Sequence, residues 1–98
     1  MADENPTGKG TAEHPTPATH DLRDQAVVLT LVLSNWPDHL GLDDLTREIA
    51  TDPDSFAERD RVDRAVRDLV DVGLALRSDV AVFPSRAALR FSQLEEQR

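Results

Sequence analysis

Between Ser55 and Gly73 the chain carries a helix with both of its ends legible. Ser55-Phe56-Ala57-Glu58 has the spacing of a capping box, in which the Ser55 hydroxyl accepts from the Glu58 amide and the Glu58 carboxylate reaches back to the start of the helix. Val62, Ala65, Val66, Leu69 and Val70 then recur at i, i+3, i+4, i+7 and i+8, which predicts one continuous apolar stripe, and Gly73 stands where a left-handed cap is wanted. A stripe of that length has to be covered. The flanking segments must therefore supply apolar faces of their own.

They do so in a definite order. Leu42, Leu45 and Ile49 fall at helical spacing, with Asp43 and Asp44 suited to the positive end of a helix dipole, so a short amphipathic helix precedes the long one. Pro53 in Thr51-Asp52-Pro53-Asp54 disfavours helix at Asp52 and breaks the two apart. Beyond Gly73, Leu74 to Arg77 and Val80 to Phe83 flank Ser78-Asp79, which predicts a β-hairpin with a short connection. Upstream, the run Ala26 to Leu33 fits a buried strand or a helix by composition. Its context favours a helix capped at His20-Asp21, ended by Ser34-Asn35-Trp36-Pro37, and turning Leu22, Ala26, Leu29, Val32, Leu33 and Trp36 towards the other helices. A last helix is predicted from Pro84-Ser85 to Leu94, with Leu89 or Ala88, Phe91 and Leu94 inward. The fold class is mainly α with a small β-hairpin (α+β).

The first twenty of the 98 residues are rich in Thr, Pro, Gly and Glu and cannot pack a core, so they read as a disordered leader. The domain then spans residues 21–94, and 95–98 form a frayed tail. Aromatic bulk for a core of this size comes only from Trp36, Phe56, Phe83 and Phe91.

The pattern of Leu42-Asp43-Asp44-Leu45-Thr46-Arg47-Glu48-Ile49-Ala50, the helix reaching Asp71-Val72-Gly73-Leu74 and the hairpin ending Val82-Phe83-Pro84 resemble small bacterial winged helix-turn-helix proteins of the transcriptional-regulator type, over roughly residues 21 to 91. The resemblance implies a three-helix core with a short wing and a C-terminal helix. It also implies duplex DNA as the partner, with the helix beginning near Ser55 in the major groove, the hairpin tip at the backbone or minor groove, and a dimer reading two half-sites. On that reading Arg59, Arg61, Arg64, Arg67 and Arg77 are the DNA-binding candidates, since arginine neutralises phosphates and grips guanine bidentately.

Charge sets a second reading beside the first. The whole chain stands at −8, whereas Glu58 to Arg90 holds seven arginines against six acids, a balance of +1, so the acid lies mostly outside the reading unit. The same arginines also form i, i+4 ladders, Asp60-Arg64-Asp68 and Arg59-Asp63-Arg67-Asp71, which stabilise an exposed helix without any ligand. The alternative is thus an acidic winged-helix module that binds a protein or dimerises and does not touch DNA. The run Ala26 to Leu33 exceeds what one face of a small core needs and is the candidate dimer interface.

An enzyme is not expected. His14, His20 and His39 are scattered, no cysteine is present for a thiolate site, and no cluster has metal-ligand spacing, so no catalytic residue, metal or cofactor is assigned. Gly8-Lys9-Gly10-Thr11 lacks the strand, the glycine spacing and the helix of a nucleotide loop. With neither a signal-peptide pattern in the leader nor an apolar run long enough for a membrane span, the chain reads as cytoplasmic.

Overall fold

The computed structural model describes residues 17–97, with side chains described from Asp21 onward; the predicted leader up to residue 16, with His14 and Gly8-Lys9-Gly10-Thr11, and the final residue of the predicted tail lie outside them. Among the described residues the order is α1 (Pro17–Asn35), α2 (Leu42–Ile49), α3 (Phe56–Asp71), β1 (Ala75–Arg77), β2 (Val82–Pro84) and α4 (Arg86–Glu96). The fold is mainly helical with one antiparallel hairpin, in the register Ala75↔Pro84, Leu76↔Phe83, Arg77↔Val82. A further bridge joins Leu40, in the α1–α2 connection, to Val82 through a 2.8 Å bond from the Val82 amide to the Leu40 carbonyl.

The core is aliphatic. Val28 and Val32 of α1, Leu45 of α2, Val62, Ala65, Val66 and Leu69 of α3, Ala75 of β1 and Val82 of β2 form one buried cluster. Thr46, also buried, is tolerated because its hydroxyl donates to the Leu42 carbonyl at 2.8 Å. The aromatics expected to fill the interior do not: Phe56, Phe91 and Trp36 are exposed, and Phe83 is half-buried with His39 against its ring.

Helix α3 ends as its sequence predicts. Gly73 has φ +86°, the Leu74 amide donates to the Leu69 carbonyl and the Gly73 amide to the Val70 carbonyl, which together close a Schellman motif. At the other end the Ser55 hydroxyl accepts from the Glu58 amide at 3.4 Å, but the return arm of the expected box is absent. The Glu58 carboxylate instead accepts from the Thr51 and Asp52 amides at 2.9 and 3.0 Å, tying down the α2–α3 turn, while the Ser55 amide donates to the Asp52 carbonyl. Val70, expected in the apolar stripe, is not buried. It lies at the edge of the stripe, with Leu69 at the centre, and is partly exposed.

On α1 the inward face is displaced from the expected one. Asp21, Asp24 and Gln25 find polar partners on α3, which turns Val28 and Val32 inward and leaves Leu22, Ala26 and Trp36 exposed and Leu29 and Leu33 half-buried. The helix also starts at Pro17, inside the stretch assigned to the leader, so the capping role given to His20-Asp21 is not realised. On α4, capped by the Ser85 hydroxyl accepting from the Ala88 amide, only Ala88 is buried; Phe91 and Leu94 face solvent, because a small residue sets the contact. The helix continues through Glu96. The hairpin turn is longer than Ser78-Asp79. It spans residues 78–81, where the Ser78 hydroxyl accepts from the Val80 and Ala81 amides and the Ser78 amide donates to the Ala81 carbonyl.

Two glycines are required for different reasons. At Gly73 the backbone is left-handed but a Cβ would meet nothing within 4 Å, whereas at Gly41 the backbone is ordinary and a Cβ would sit 2.9 Å from the Val80 carbonyl oxygen. Gly73→Ala is expected to cost about 1 kcal/mol through conformation alone. Gly41→Ala is expected to cost about 1 to 2 kcal/mol and to displace the hairpin tip. Amide chemical shifts at Ser78, Val80 and Ala81 that move in the second variant and not the first check the distinction.

Candidate interaction face

One side of α3 stays open between the first turn of α2 and the hairpin. Phe56, Arg59, Asp60, Asp63 and Arg67 succeed one another at i, i+3, i+4, i+7 and i+11 and so share a face. Phe56 is the first helical residue and is 90% exposed. Arg59 reaches across to Asp43 of α2 at 2.9 Å; Arg67 and Arg77, the latter from β1, converge on the Asp63 carboxylate at 3.0 and 2.9 Å. The three arginines on this side thus meet two aspartates, Asp43 and Asp63, and Asp60 of the same face pairs with Arg64.

The remaining two candidate arginines leave this face. Arg61 holds Asp24 of α1 in a two-pronged contact, Nε at 3.3 Å and Nη2 at 2.9 Å. The hydrogen bond to Asp24, followed by that group's charge, holds the Arg61 guanidinium above its ordinary pKa. Arg64 lies 3.7 Å from Asp21 of α1 and 3.5 Å from Asp60. These contacts fasten α1 to α3. Of the predicted ladders, the Asp60–Arg64 and Asp63–Arg67 rungs are made, while the cross-element partners Asp21, Asp24 and Asp43 have no signature in local spacing.

A cleft of about 180 Å³ opens beside this junction, lined by Asp24, Val28, Ile49, Ala50, Thr51, Glu58, Arg61 and Val62. Its charged groups are committed: Asp24 to Arg61, and Glu58 to two backbone amides. Comparison with protein-family models, with curated proteins and with solved structures found no match.

No group of three His, Cys, Asp or Glu among the described residues could hold a metal ion, and no described helix is long and apolar enough to cross a membrane. Arg23, Arg86 and Arg90 are the described arginines without a carboxylate partner, and they sit on α1 and α4.

Proposed function

We propose that the chain is a winged helix-turn-helix module that works by protein–protein association through the open face of α3. The observation that carries this reading is an almost fully solvated Phe56 set in a face whose arginines are all matched by carboxylates. Interfaces between proteins are enriched in aromatics and arginine, and pre-formed ion pairs leave each of these arginines already engaged by a carboxylate. A duplex needs the opposite, a surplus of cations to release counterions. Here Asp43, Asp60 and Asp63 would meet phosphates as repelling groups, on a chain already at −8.

Duplex DNA remains a second reading, favoured by the placement of α3 between α2 and a hairpin bearing Arg77. The ion pairs are exposed, worth roughly 0 to 1 kcal/mol each, so a phosphate could displace a carboxylate. Selection from a random duplex library at about 50 mM salt, where a weak phosphate term is still visible, discriminates the two. Protein association predicts no enriched duplex. An enriched motif lost on Arg59→Ala with Arg67→Ala would overturn it. In the positive direction, a photo-crosslinking phenylalanine analogue at Phe56 should give a discrete protein adduct in cells, weakened by Arg59→Glu. The same probe at Val72, exposed at the far end of α3, should give none.

A further inference from the structure

From Gln25 to Pro37 the sequence contains no charged residue, although 31% of the chain is charged. Only Val28 and Val32 of this stretch are fully buried; Ala26, Val27, Thr30 and Trp36 are exposed. The Thr30 hydroxyl donates to the Ala26 carbonyl at 2.7 Å, and the Asn35 side-chain amide places one N–H on the Leu31 carbonyl at 2.9 Å. Covering this face would not orphan the Thr30 hydroxyl donor. An apolar depression of about 330 Å³ lies along it, lined by Ala26, Val27, Thr30, Leu31 and Glu48 of α2.

We infer that this face pairs with a second copy of the chain, two α1 helices crossing antiparallel about a two-fold axis at Ala26. Two features of this face select a second copy. First, the small side chain of Ala26 lets two helices approach closely, and symmetry about it sets Leu22, 67% exposed, against the Thr30 methyl of the other copy. Second, Arg23 lies about one turn before Ala26, and Glu48 lies beside Thr30, about one turn after it. Neither has an ion-pair partner among the described residues, and the same axis brings Arg23 of each copy to Glu48 of the other. A contact of only about three turns of helix lies at the small end of specific interfaces, for which the threshold is about 1,000 Å² in total. The association is therefore a concentration-dependent one. It is independent of the α3 face, which stays free in the dimer.

Sedimentation of the full chain between about 1 and 300 µM tests this, because contacts at the lower size limit are weak. The mass is expected to rise from the monomer's 10.9 kDa towards twice that value. Ala26→Asp should hold it at the monomer with helical circular dichroism unchanged, and Thr30→Lys should do the same if Ala26→Asp loses helix. Arg23→Glu or Glu48→Arg alone should weaken the dimer by about tenfold, and the double charge swap should restore it. A chain that stays monomeric throughout, a dimer indifferent to both Ala26→Asp and Thr30→Lys, or a double swap no tighter than either single change would overturn the pairing.

Discussion

Leu69→Ala is expected to lower unfolding free energy by about 3 kcal/mol, since a fully buried leucine loses its transfer term and leaves a cavity that only partly collapses. Leu69 is 2% exposed and lies in the cluster where α1, α2, α3 and both strands meet. For a domain of this size the loss corresponds to a fall in Tm of about 15 °C. Its neighbour is the control. Val70, which sequence spacing puts on the same stripe, is 36% exposed, and Val70→Ala should cost about 0.5 kcal/mol. Urea titrations of both variants, with the midpoint moving at constant m for Leu69→Ala and hardly moving for Val70→Ala, check the pair. Similar losses would mean that the packing of α3 is rotated from the one described.

The second large effect is expected at Glu58. Its two oxygens accept from the Thr51 and Asp52 amides, and charge-assisted bonds of this kind are the stronger ones. Glu58→Ala should cost about 2 kcal/mol, more than the roughly 1 kcal/mol expected for removing the Ser55 cap. Glu58→Gln, with one oxygen in place of two, should fall between. Hydrogen exchange locates the effect: Thr51 and Asp52 lose protection, while the Ser55 amide, which donates to the Asp52 carbonyl, keeps its own partner. Loss of protection at Ser55 alone would restore the reciprocal box read from the sequence.

Those two sites mark how far local sequence reaches. The start and stop of α3 and four of its five predicted core residues, Val62, Ala65, Val66 and Leu69, were legible because a cap, a 3.6-residue period and a left-handed glycine are properties of one segment, and the same holds for the short α2 and for Ser85 before α4. Which side of α1 turns inward was not legible. That helix is apolar on more than one side, and the choice is made by Asp21, Asp24 and Gln25 meeting α3. The destination of Glu58 escaped for a related reason: the backbone of the α2–α3 turn bends towards it, and no spacing rule records that bend. At the interaction face, the arginines were visible as residues and as intrahelical ladders, but the pairing of Arg59 with Asp43, Arg61 with Asp24 and Arg77 with Asp63 joins positions far apart in the chain.

The bridge between Leu40 and Val82 bears on the order in which the molecule assembles. The Schellman end of α3 and the four-residue hairpin turn close over short stretches of chain, so both can form early at little entropic cost. The bond from the Val82 amide to the Leu40 carbonyl closes a loop containing α2 and α3 entire, and it gains nothing until those helices have docked. Val82 is 1% exposed, so its amide meets solvent only when that whole closure is undone. Its exchange rate therefore reads the opening of the complete domain, and the amides of the hairpin tip read only the fraying of a turn.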